Sequence, residues 1–172
     1  LEIAYPIMAE YVLLKRSQAL AMINPNLAPD TRNQILQDYP QSFAAAEALY
    51  DLGRFSEVLS KFPSHPRSRA ILKTELAKSP NRFDLLIHMA VYFNDDRAII
   101  PILDRLVKSY ANQITSEQWS AIAQGYFDRG LYGKAANLAY IRATPDPNNL
   151  YFWGRSLQRS NNKSVSYTHL TL

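Results

Sequence analysis

The chain has 172 residues, 47% of them apolar and only five of them glycine, enough for a buried core and too apolar for wholesale disorder. The formal charge is only +4 and no dense Lys/Arg block occurs, which argues against a nucleic-acid partner. There is no cysteine, so disulfides and thiolate metal sites are excluded, and no apolar run approaches the length that crosses a membrane.

The chain opens on Leu1 with no basic, apolar and small-residue leader, and it reads as a fragment lacking its native start. Residues 6–22 predict a helix, with Pro6 in its first turn and Ile7, Tyr11, Leu14 and Ala21 as its apolar stripe. Asn24-Pro25-Asn26 and Ala28-Pro29 mark a loop. Thr31 with Gln34 predicts a capping box for a short helix carrying Ile35 and Leu36, ended by Tyr39-Pro40. Ser42 caps a helix to about Leu52, Gly53-Arg54-Phe55 turns, and a shorter helix carries Val58, Leu59 and Phe62. Pro63 and Pro66 close that helix. Residues 66–78 and 82–93 predict two more helices, the second with Leu85, Leu86, Met89 and Phe93 at core spacing. After the Asn94-Asp95-Asp96 turn, Pro101 sits inside an apolar run. A mid-helix proline costs about 3 kcal/mol, so the next helix should begin near Ile100 or kink there, and end at Tyr110. Helices over 132–142 and 148–159 complete the helical part. Residues 164–172 alternate in a strand-like way unlike everything before them, and resemble a non-native tail on a scaffold fragment spanning 1–163.

Residues 116–147 carry the most information. Thr115 and Gln118 predict a capping box ahead of them. With Ser116 as the first position, Trp119, Tyr126, Gly130, Tyr132, Ala135 and Pro147 fall where a tetratricopeptide repeat places its aromatic, turn, small and closing residues. Trp119 and Tyr126 lie two turns apart on one helical face. Gly130 permits a sharp turn, and Ala135 lets the second helix approach the first. Such a unit cannot bury its apolar face alone. The expected fold is therefore all-α, a superhelical stack of antiparallel helix pairs.

Candidate chemistry is sparse. His65, His88 and His169 show no metal-ligand spacing, and His88 reads as a packed helix residue. Asp95 and Asp96 with Asp104 lack the alternating ligands of a calcium loop, and helix capping is the reading for the first two. No cofactor is implied. Tyr126, Tyr132 and Tyr140 fall at repeat spacing and are expected between helices. The one binding surface the pattern offers is the groove lined by the first helix of the repeat. Glu117, Ser120, Gln124, Phe127 and Asp128 would face it, toward a peptide or another domain of the same protein.

Several ordered stretches carry a resemblance. They are Tyr39-Pro40-Gln41-Ser42 running into Ala46-Glu47-Ala48-Leu49-Tyr50, then Lys61-Phe62-Pro63-Ser64-His65-Pro66-Arg67, and Tyr132-Gly133-Lys134-Ala135-Ala136. Asn149-Leu150-Tyr151, Gly154-Arg155-Ser156-Leu157-Gln158 and the run from Leu103 to Ala111 fit alongside them. Together they resemble the N-terminal α-superhelical region of soluble lytic murein transglycosylases of the cyanobacterial type. That resemblance implies a periplasmic scaffold and a separate C-terminal lysozyme-like domain that cleaves peptidoglycan through one glutamate followed by serine. None of the six glutamates here precedes a serine. The implied activity therefore belongs to the parent protein and not to this fragment, and no catalytic residue is carried over. The alternative is a free-standing tetratricopeptide-type module for protein partners. A Glu-Ser-bearing domain downstream would discriminate between the two.

Overall fold

The structure is a computed structural model and describes residues 6–142 and 147–160. Among these it holds ten α-helices, two short 3-10 turns and no strand. The expected tail, 164–172, lies outside the described residues. The chain divides into two compact units, Leu1–Thr74 and Glu75–Leu172.

In the first unit α1 spans Pro6–Ile23, α2 Ala28–Asp38, α3 Phe43–Asp51 and α4 Phe55–Lys61, and α5, Pro66–Lys78, begins within it. α1 buries Ala9, Leu13, Leu14 and Ser17, while Tyr11 is half exposed. The buried stripe is thus rotated from the expected one. α1 is apolar around most of its surface, so its period alone does not say which stripe faces inward. α2 begins three residues before the expected cap. Pro29 occupies its first turn, Leu27 sits at its cap without a side-chain bond, and Thr31 is buried inside it. A proline loses nothing in a first turn, where the backbone N–H has no helical partner, so Ala28-Pro29 opens the helix instead of delaying it.

Ser42 caps α3 as its position predicts, its Oγ accepting from the Ala45 N–H at 3.0 Å. Ala44, Ala45, Ala46 and Ala48 are all buried, which lets neighbouring backbones approach closely. Leu13, Leu14 and Ile35 pack against Ala44, Ala45 and Ala48, and Leu49, Val58 and Ile71 form a second cluster. α3 ends on Gly53 at φ +73°. The Gly53 N–H donates to the Tyr50 carbonyl and the Arg54 N–H to the Leu49 carbonyl, both at 2.9 Å. That is a Schellman cap, which needs the left-handed conformation glycine adopts without strain.

The second unit holds α6 (Phe83–Tyr92), α7 (Ile99–Ser109), α8 (Ser116–Asp128), α9 (Tyr132–Ile141) and α10 (Pro147–Arg159). Leu85, Leu86, Met89 and Phe93 are buried as their spacing predicts. Pro101 is the third residue of α7, inside the first turn, so it removes no helical hydrogen bond and the helix opens just ahead of it. Asp96 Oδ1 accepts from the Ala98 N–H at 3.0 Å and shapes the turn before α7. The Arg129 guanidinium donates to the carbonyls of Asp95 and Asp96. Thr115 and Gln118 make both bonds of the capping box on α8. α8 ends on Gly130 at φ +75°, and its cap repeats the one at Gly53 bond for bond: Gly130 N–H to the Phe127 carbonyl and Leu131 N–H to the Tyr126 carbonyl, both at 2.9 Å. In the first unit α1 packs on α2, α2 on α3 and α3 on α4, in the second each helix from α6 to α10 packs on the next, and helices two apart also meet, α1 with α3 and α6 with α8.

Candidate functional site

α8 is the element around which the second unit is built. Its inward face buries Trp119, Ile122, Ala123 and Tyr126 against neighbouring helices. Gly125 faces α7 closely, since a Cβ built there would stand 2.9 Å from Leu103 Cδ1. Ala135 and Ala136 of α9 are buried, and small side chains there allow close approach to α8.

The five expected groove residues do not share one environment. Glu117 is exposed in the first turn of α8. Its carboxyl is held below the usual carboxylate range by a hydrogen bond from its own backbone N–H, joined by one with the Thr115 side chain. Ser120 donates back to the Ser116 carbonyl at 3.2 Å. Gln124 Nε2 donates to Asp128 Oδ1 at 2.6 Å. Glu117, Ser120, Gln124 and Asp128 thus form one polar edge at spacings of three and four. Phe127 is turned elsewhere. Its ring lies 5.2 Å from that of Tyr132 and 4.9 Å from that of Phe152, with the Arg159 guanidinium 4.8 Å from its centroid. It joins α8 to α9 and α10.

A cleft of about 210 Å³ opens between α7, α8 and α9, lined by Asp104, Val107, Tyr126, Lys134, Asn137 and Leu138. Among its lining groups the Tyr126 hydroxyl and the Lys134 ammonium each donate to Asp104 Oδ1 at 2.6 Å. The ammonium also lies 5.1 Å from the Tyr126 ring centroid. Burial pushes the Asp104 carboxyl upward, but the bonds from Lys134 and Tyr126 outweigh it and hold the group below its ordinary range. Burial, reinforced by the Asp104 bond, drives the Tyr126 hydroxyl well above its ordinary value. Near neutral pH the carboxylate stays ionised and the phenol stays protonated. The cluster ties α7, α8 and α9 together through the two hydrogen bonds that Asp104 accepts.

Sequence reasoning placed Tyr126 in the core and missed its partners. Asp104 and Lys134 are separated by 30 positions. No spacing rule links residues so far apart. The available signal was Tyr126 itself, since a buried tyrosine hydroxyl needs an acceptor. His88, expected as a packed residue, is partly buried with its ring 4.8 Å from that of Tyr92. Among the described residues no group of acidic and histidine side chains could hold a metal ion, and no helix is long and apolar enough to cross a membrane. No family model, curated protein or solved structure matches the chain.

Proposed function

We propose that this chain is scaffold from a periplasmic peptidoglycan lytic transglycosylase, a superhelical stack of helix pairs that positions a C-terminal lysozyme-like domain on the glycan strand. The observation that carries the reading is the hairpin made twice, at Gly53 and Gly130, with the same cap. Two copies of one helix–turn–helix device are what a repeat architecture requires. The ordered motifs running from Tyr39 to Gln158 support the specific family. The chemistry would lie in the downstream domain, and this chain's role is placement.

The polar edge of Glu117, Gln124 and Asp128 favours a second reading, a tetratricopeptide-type module that takes a protein or peptide partner. One experiment separates the two. The gene is extended downstream, and the longer protein and this chain are each incubated with purified peptidoglycan. The scaffold reading expects anhydromuropeptides from the longer protein and none above a buffer control from this chain. Release by this chain alone, or an extended frame without a Glu-Ser-bearing domain, would overturn it.

A further inference from the structure

In the first unit, α4 meets α5 through a tight knuckle, Phe62-Pro63-Ser64-His65-Pro66-Arg67. The His65 N–H donates to the Phe62 carbonyl at 3.0 Å, and the Arg69 N–H donates to the His65 carbonyl at 3.2 Å. Ser68, fully buried, donates its hydroxyl to the Phe62 carbonyl at 2.7 Å. The His65 side chain closes the knuckle, because its Nδ1 accepts from the Arg67 N–H at 3.1 Å. An accepting Nδ1 places the ring proton on Nε2. That Nε2 is buried and has no hydrogen-bond partner.

The ring's surroundings offer little to a positive charge. From α3 come the Phe43 ring at 4.3 Å and the Glu47 carboxylate, and from the end of α4 the Phe62 ring at 6.4 Å. From α5 comes the Arg67 guanidinium. Glu47 attracts an imidazolium, but it is already engaged, taking Arg67 Nε at 3.0 and 2.9 Å and Nη2 at 2.6 Å. Arg67 in turn stacks on Tyr50, 4.3 Å from its centroid. A proton arriving at Nδ1 would set an N–H against the Arg67 N–H and a second cation beside the guanidinium. It would also leave that charge partly shielded from water.

We propose that His65 is a proton-operated latch: neutral, it ties the first turn of α5 to the α3–α4 hairpin, and protonated, it releases the knuckle. Phe43, 58% exposed, covers the ring at the surface, so the imidazolium leaves by displacing one side chain. Burial holds the imidazole below its ordinary value of 6.5, against the pull of Glu47 and with the repulsion of Arg67. The sign follows. The open form binds the proton more tightly, so closure is complete above about 6.5 and weakens as pH falls toward the lower closed-state value.

The test is nuclear magnetic resonance on the full chain, following the His65 ring nitrogens and exchange of the Arg67 amide across that window. The latch expects the Nε2–H form at neutral pH, a titration below that of free imidazole, and an open population at Arg67 that rises as pH falls, by at most about tenfold per pH unit once intrinsic exchange is corrected, the limit set by uptake of one proton. In His65→Gln the Arg67 amide should lose this pH dependence. If that variant fails to fold, the wild-type tautomer and titration decide alone. An Nδ1–H tautomer, a titration at or above that of free imidazole, or Arg67 protection unmoved through the His65 transition would overturn the proposal.

Discussion

Gly53 and Gly130 show how one backbone angle fixes a turn. Both sit at positive φ, and at both a Cβ would meet nothing within 4 Å. A side chain there is opposed by the conformation and not by crowding. Gly130→Ala and Gly53→Ala should each cost about 1–2 kcal/mol, the penalty of the left-handed region for an ordinary residue. Gly154 also faces open space, but with no positive φ and in the interior of α10. There Ala should stabilise by up to about 1 kcal/mol through helix propensity. Urea midpoints of the three variants check both signs. Equal effects at Gly130 and Gly154 would show that the cap geometry contributes nothing.

At the scale of elements, helix ends were the most legible part of the sequence. Ser42, Thr115-Gln118, Pro66 and the two turn glycines each act within four residues, so their signals survive without knowledge of the fold. The start of α2 is ambiguous in the sequence because Thr31-Gln34 satisfies the local rule for a cap while Pro29, two residues before Thr31, satisfies another rule, for a first turn. Packing was legible in α6, whose Leu85, Leu86, Met89 and Phe93 are buried as their spacing predicts. It was not legible in α1, whose apolar residues leave several stripes open. The links between helices were invisible: Glu47 with Arg67 lies 20 positions apart and Asp104 with Lys134 lies 30, distances that no local period encodes. The second link has a measurable consequence. Because Asp104 is held below its ordinary 3.8, its ionised form favours the folded state. Its contribution is whole above that value and is lost as pH falls through the lower folded one. Asp104 and Lys134 are about half exposed, at 48% and 51%, so solvent screening keeps the contribution to about 0–1 kcal/mol. Asp104→Asn should lower the urea midpoint slightly at neutral pH and have less effect in acid, below the ordinary carboxylate value of 3.8. An identical effect at both pH values would mean the carboxylate's charge is idle in the fold.

At the scale of the whole molecule, the division into two compact units makes a claim about cooperativity. The first is centred on Leu13, Ile35 and Ala45, the second on Leu103, Trp119 and Ile122, all of them buried. In repeat architectures stability is close to a sum of unit terms and nearest-neighbour terms, so damage stays near its origin. Trp119 is 4% exposed, and its truncation removes a large aromatic from the helix that α6, α7 and α9 all contact. Trp119→Ala should cost about 3–5 kcal/mol. Hydrogen exchange should then show protection falling across α6 to α9 while the amides of α2 and α3 keep theirs. A uniform fall in both units would show that the chain opens as one block, and the repeat reading would lose its energetic basis. Unchanged protection around Trp119 would show instead that its burial is replaced by repacking.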